Sequence, residues 1–180
     1  MLEQDLGRRP RKTPERGPDQ NVDEAAQAFP FQSSKLCRMA KDEYPLLEVL
    51  RRWQPEGMWA NVGGRMLELE PGRALIEAQL SAASHGFPTG MGSIVHGGAL
   101  AAVADMALAS AGASLCREGE VATTVDLKVD FFQPGQPGRI LARATVRRRT
   151  RRLAFCETTL EQEDGTVIAE ARAVMAYIRA

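Results

Sequence analysis

The chain has 180 residues, a formal net charge of zero and 44% apolar residues. That is enough for one domain of ordinary size with a sizeable core. The charge balance argues against a dedicated nucleic-acid binder, which carries a basic excess or a clustered basic face. Cys37, Cys116 and Cys156 are odd in number and form no C-x-x-C. Their spacing predicts reduced thiols in a cytoplasmic protein, without a disulfide or zinc framework. With His85 and His96 as the only histidines, no histidine-rich metal site is expected.

Taken in chain order, residues 1–28 are rich in Arg, Pro, Asp, Glu and Gln. Such a segment has too little apolar surface to offset its ordering entropy and is expected to be a disordered tail. No apolar run follows Arg8-Arg9, so no export signal is read there. Residues 29–57 suggest a helical extension, with Leu36, Met39, Leu46, Leu47 and Leu50 among charges and an interruption near Pro45. From residue 58 to 180 the character is that of a domain. Met66, Leu67 and Leu69, the turn Glu70-Pro-Gly-Arg73 and the run Ala74–Leu80 predict a hairpin. Residues 81–95, with Gly86, Pro88, Gly90 and Gly92, read as an irregular loop. Residues 99–115 read as a helix that is apolar on nearly all sides and hence buried. Asp105 stands at its middle among alanines, which makes a membrane span a poor reading.

The rest is strand-like. Val125, Leu127, Val129 and Phe131 alternate with Thr124, Asp126, Lys128 and Asp130, a period of two. Pro134–Gly138 breaks the run. Strands are predicted over 139–149, 153–163 and 166–178, with turns at Thr150-Arg151 and Asp164-Gly165. A hairpin, a long buried helix and then four consecutive strands give an α+β fold with an antiparallel sheet. A sheet curled around one central helix is the simplest way to cover a helix apolar all round.

Two features carry chemistry. His96-Gly97-Gly98 opens the apolar helix. Helix-initial N–H groups have no internal partners and sit at the positive end of the dipole, so they suit negative charge developing on a carbonyl oxygen. Asp105 is an ionisable group in apolar surroundings, costly there unless paired or functional, and a candidate general base or nucleophile. From Gly97 to Asp105 is eight residues, or about 12 Å of helix rise. Both groups cannot therefore surround one carbonyl within one chain. If they share a site, two chains must build it, as a twofold dimer does.

The runs His96–Asp105, Thr123-Thr-Val-Asp-Leu-Lys-Val-Asp-Phe-Phe-Gln-Pro134 and Arg148-Arg-Thr-Arg-Arg-Leu-Ala-Phe155 together resemble the PaaI-like hotdog thioesterases. That family pattern has an H-G-G, an acidic residue nine positions later on the central helix, and a strand ending F-x-x-P. The resemblance covers about residues 58–178. It implies the hotdog fold and hydrolysis of acyl-CoA thioesters without a cofactor, in a homodimer or a dimer-of-dimers tetramer with sites between subunits. The Gly97 N–H would polarise the thioester carbonyl, with Gly98 in the same helix-end motif and His96 beside the thioester. Asp105 of the neighbouring subunit would activate water or attack directly. Thr124, or the adjacent Thr123, would supply a water-orienting hydroxyl. One departure stands out: many relatives carry Asn or Gln about six residues before the histidine, where this chain has Gly90. Ser93 and Thr89 are nearby polar candidates for that role.

Arg148 and Arg149, within Arg147–Arg152, are candidates to attract CoA phosphates. A solvated charged turn is the plainer reading. No G-x-S-x-G elbow exists, and 90–95 lacks the third glycine of a dinucleotide fingerprint. A triad of Ser93, His96 and Asp105 is disfavoured because the acid lies about 180° around the helix from the histidine. Two alternatives to hydrolysis stay open: a non-catalytic acyl-CoA-binding protein and a hotdog dehydratase acting on hydroxyacyl thioesters.

Overall fold

The computed structural model describes Tyr44, residues 46–90 and residues 92–179. The expected tail over 1–28 and the early part of the helical extension lie outside the described residues. Helix α1 (Leu46–Arg52) is the described part of that extension. It ends in Arg51 and Arg52, which suit the negative end of its dipole. Leu47 is 2% exposed and sits in the same core cluster as the central helix. Arg51 ties α1 to the sheet edge by donating from Nε and Nη2 to the Leu69 carbonyl. A single turn, α2 (Met58–Asn61), follows.

The hairpin forms as its pattern predicts. Strands β1 (Arg65–Glu70) and β2 (Arg73–Leu80) turn at Pro71-Gly72, where Gly72 has φ 75°. A β-carbon is strained there, so glycine suits the turn. The segment expected to be an irregular loop is more ordered than that. It contains a helical turn, α3 (Ala82–His85), and a small hairpin, β3 (Gly86–Thr89) with β4 (Gly92–Val95). Each strand has four residues, too few to show a period of two against so many glycines.

Helix α4 (Gly97–Ala113) is the centre of the fold. Leu100, Val103, Ala104, Ala107, Leu108 and Ala111 are each 2% exposed or less. Strands β5 (Glu120–Phe131), β6 (Gly138–Arg149), β7 (Leu153–Gln162) and β8 (Val167–Arg179) complete one antiparallel six-stranded sheet, ordered β1-β2-β6-β7-β8-β5. Helix α4 packs on β2, β5, β6, β7 and β8. The sheet thus wraps the helix, and β1 and β5 are its edges. This is the hotdog architecture.

One stripe of α4 stays partly open. Ala101, Ala102, Asp105, Ala109 and Ala113 are half-buried, while the rest of the turn at each level is buried. Steps of four residues return to one helix face. That face lies toward the β5 edge, since Thr124 of β5 touches Asp105.

Strand β5 departs from simple alternation. Its register with β8 shifts between Thr124 and Asp126, so Val125 is an extra residue in a β-bulge. Val125 is consequently 63% exposed, on the opposite side from Leu127 and Val129, which pack against the core. A strict period of two would have set Thr124 opposite Leu127. The bulge puts both on the helix face.

Candidate active site

The start of α4 is held from several sides. The Val95 N–H donates to the Gly135 carbonyl at 2.8 Å, and the His96 N–H to the His85 carbonyl at 2.8 Å. His96 caps the helix: its Nδ1 accepts from the Gly98 N–H at 2.9 Å. A neutral imidazole that accepts through Nδ1 carries its proton on Nε2, so His96 presents a donor at that atom. His96 is exposed, and its ring lies 6.3 Å from that of Phe87, centroid to centroid.

The two glycines therefore differ. The Gly98 N–H is occupied by His96. The Gly97 N–H makes no hydrogen bond among the described residues. A free helix-initial N–H is an anion-seeking donor. Access explains the glycine here: a β-carbon at Gly97 would meet Phe131 Cζ at 3.2 Å. Phe131 closes the strand that ends F-x-x-P and stands 51% exposed over the helix start. Sequence reasoning had not marked Phe131 or Phe87 as neighbours of this site. Phe87 follows Gly86 in the chain, but Phe131 stands between Asp130 and Phe132 and meets Gly97 only in the fold, so the sequence carried no signal for it.

The middle of α4 supplies the second half. Asp105 is half-buried, and its Oδ1 accepts from Thr124 Oγ1 at 2.8 Å. Its other carboxylate oxygen has no hydrogen-bond partner among the described residues. Thr123 is exposed on the other face of β5, opposite Ala176. The structure thus distinguishes the two threonines, and only Thr124 reaches Asp105. Gly97 and Asp105 remain eight residues apart on one straight helix, so one chain does not bring them together.

The remaining sequence candidates lie elsewhere. Ser93 is half-buried in the β3–β4 hairpin, where a β-carbon on Gly86 would collide with its Oγ. Thr89 Oγ1 donates to the Gly92 carbonyl at 2.7 Å, closing the hairpin tip that holds Gly90. Arg148 and Arg149 separate at a bulge between Val146 and Arg148. Arg148 pairs with Phe155 and faces outward on the exposed side of the sheet. Arg149 turns inward: it binds Glu120 Oε2 through Nη2 at 2.6 Å and stacks 4.2 Å over the Tyr177 ring. Neither arginine stands beside Asp105 in this chain. Arg149 is committed to an acid, and Arg148 is on the far face.

Burial dominates the perturbed groups. It pushes the Cys116 and Cys156 thiols up to about 11 and the Tyr177 phenol up to about 12. Tyr177 donates to the Gly112 carbonyl and so closes the C-terminal end of α4. No group of three or more metal-ligating side chains stands together among the described residues. No helix among them is long and apolar enough to cross a membrane.

A model of the thioesterase superfamily matches residues 92–169. The chain is 32% identical to the medium/long-chain acyl-CoA thioesterase YigI of Salmonella typhimurium, over 45% of this chain and 61% of that protein. The Escherichia coli protein of the same name is 31% identical over the same shares. The chain thus spans 61% of the length of these curated relatives. Among solved structures, a thioesterase family protein from Silicibacter pomeroyi aligns with a TM-score of 0.62 at 26% identity, over 81% of this chain and 99% of that one. A phenylacetic acid degradation-related protein from Ralstonia eutropha aligns at 0.63 and 25%, over 74% and 98%. A Haemophilus influenzae thioesterase reaches 0.65 at 20%, over 74% and 90%.

Proposed function

We propose that this chain, whose residues 92–169 match a model of the thioesterase superfamily, hydrolyses acyl-CoA thioesters to a free acid and CoA. The observation that carries the reading is the Thr124–Asp105 hydrogen bond, set on the open stripe of the same helix whose Gly97 N–H is unpaired. Thr124 holds one carboxylate oxygen and leaves the other for water.

The chemistry follows in two steps. Asp105 takes a proton from water as its oxygen bonds to the thioester carbon, and the carbonyl oxygen becomes an oxyanion that accepts from the Gly97 N–H. The C–S bond then breaks, the carbonyl re-forms, and the proton on Asp105 passes to the departing CoA sulfur. In the nucleophilic variant, the carboxylate attacks the thioester carbon and the C–S bond breaks, CoA leaving as a thiolate that takes a proton from water. Hydrolysis of the resulting mixed anhydride releases the acid and restores the Asp105 carboxylate. No cofactor enters either balance. His96 lies beside the thioester with its Nε2 proton, and the exposed Phe87 and Phe131 give the approach an apolar wall.

If Gly97 and Asp105 act on one carbonyl, the roughly 12 Å of helix rise between them calls for two chains. Strand β5 is an edge, and the half-buried stripe of α4 lies toward it. A second copy placed along that edge would cover the stripe and bring its Gly97 to this Asp105, giving a dimer with two equal sites. Gly90 favours a second reading, a binder without turnover, because the hairpin tip offers no amide side chain to hold the carbonyl or water.

A panel of acyl-CoA thioesters with a free-thiol readout tests both. The relatives' names make medium and long chains the first to try. We expect CoA release by the wild type and at least a hundredfold loss in Asp105→Asn. Binding of acyl-CoA with no release above blank would make the protein a binder. An enoyl product from a hydroxyacyl thioester would make it a dehydratase. Full activity in the variant would remove Asp105 from its role.

A further inference from the structure

His85 is the histidine that the proposed chemistry leaves unused, and both nitrogens of its ring are engaged. Nδ1 accepts the Ser81 N–H at 3.0 Å, within the α3 turn. A ring that accepts through Nδ1 is neutral and carries its proton on Nε2. That proton is directed at Asn61, whose backbone carbonyl oxygen lies 3.1 Å and whose Oδ1 lies 3.2 Å from Nε2. The ring therefore ties α3 to the end of α2, 24 residues earlier in the chain.

Both ends of this tie are anchored. Val62, next to Asn61, is 1% exposed in the core, and its carbonyl accepts the Gln79 N–H of β2 at 2.9 Å. At the other end, the His85 carbonyl accepts the N–H of His96, the residue that caps α4, at 2.8 Å. The α3 turn is closed on itself as well. The His85 N–H donates to the Ser81 carbonyl at 2.9 Å, and the Ser84 N–H donates to Ser81 Oγ at 3.1 Å. The turn sits directly on β4, since a β-carbon on Gly86 would collide with the Ala82 carbonyl and with Ser93 Oγ. The path from the core to the helix start is thus short. It runs from Val62 through Asn61 and the His85 ring to the His85 carbonyl and His96.

Rigidity along that path matters at one place. A helix-initial N–H stabilises an oxyanion only where it points at the oxygen, and a misplacement of about 1 Å can cost about a hundredfold in rate. The Gly97 N–H has no partner among the described residues to fix its direction. Its neighbours set that direction: the Val95 N–H on Gly135, the His96 N–H on His85, and the Gly98 N–H on His96 Nδ1. We propose that His85 is a positioning residue of the active site. Its ring pins α3 to Asn61, so that its carbonyl holds the start of α4 and aims the Gly97 N–H and the His96 ring at the thioester. This rests on the hydrolase reading above and adds a residue that acts through others. The ring serves as a two-ended strut and not as a proton carrier, because both of its nitrogens are bonded within the protein.

The test separates aim from fold. In the full chain, His85→Ala removes both ring contacts and should lower kcat about tenfold with little change in KM. His85→Gln keeps an amide N–H that can reach Asn61 and should recover most of that loss. His85→Asn is too short to reach and should not. A rise in KM with kcat unchanged, or a Gln variant no better than Ala, overturns the assignment. Hydrogen exchange reads the same hold without any activity. In His85→Ala the His96 amide should exchange at least about tenfold faster, while the amide of Leu108, in the buried middle of α4, keeps its wild-type rate. Unchanged protection at His96 overturns the proposal. So does an equal loss at Leu108, which would mean that the whole fold has loosened. If the wild type releases no CoA from any thioester, the hydrolase reading fails. The hold of His85 on the start of α4 then stands or falls on the exchange at His96.

Discussion

Thr124 donates its hydroxyl to Asp105 at 2.8 Å, from a strand position that only a bulge at Val125 turns toward the helix. This contact couples the residue proposed to take the proton to the edge strand proposed to meet a second chain. Thr124→Val keeps the shape and removes the donor. We expect a fall in kcat of ten- to a hundredfold with little change in thermal stability. The double variant with Asp105→Asn should be no slower than Asp105→Asn alone, because residues acting as one unit are non-additive. Independent, multiplying losses would separate the two residues.

At Gly97, the β-carbon of an alanine would sit 3.2 Å from Phe131 Cζ, so the ring must give way. Gly97→Ala retains the N–H yet displaces the aromatic wall over it. We expect kcat/KM to drop about tenfold while the chain stays folded. Adding Phe131→Ala should restore part of that loss if crowding is the cause. A loss that Phe131→Ala deepens instead would place the importance of Phe131 in substrate contact.

The thiols provide a probe of the core. Cys116 and Cys156 are buried and free, and burial raises both to about 11. Since the thiolate is the reactive form, neither should react with a disulfide reagent near pH 8 in the native state. In a Cys37→Ser background, labelling should appear only on denaturation, and then at two sites. Rapid native labelling would mean that the sheet opens readily around the helix.

Much of this fold was legible because its elements are long. The apolar run after Gly97 and the 10- to 13-residue strands β5 to β8 carry their periods over several repeats. The hairpin β3–β4 was not legible, since four-residue strands rich in glycine show no period. The bulge at Val125 was hidden for a different reason. Alternation in sequence continues straight through it, and only pairing with β8 shows the shift of phase. That is why Thr123 and Thr124 could not be told apart from sequence. The roles of Arg148 and Arg149 were likewise out of reach, because a second bulge, between Val146 and Arg148, decides which of them turns inward.

Glu77, buried on the outer side of the sheet, contributes to acid stability. Glu77 is 8% exposed and accepts from both Arg65 and Arg139. Burial alone would raise its pKa. The hydrogen bonds and charges of the two arginines outweigh this and hold it below its usual value of 4.5. The sign follows from linkage. A carboxylate with a depressed folded-state pKa adds stability that is fully present above its unfolded pKa and is lost as pH falls through the folded value. The contribution should therefore be constant from pH 6 to 8 and decline below about pH 4.5. Glu77→Gln strands Arg139, whose side chain is 25% exposed, while Arg65 is largely solvated at 67%. That exposure reduces the cost to about 1–3 kcal/mol at neutral pH. Urea denaturation at pH 7 and near pH 3 measures both effects. The gap between wild type and variant should narrow at the lower pH, and a gap that stays constant would mean that the charge on Glu77 contributes nothing and that its role is packing alone.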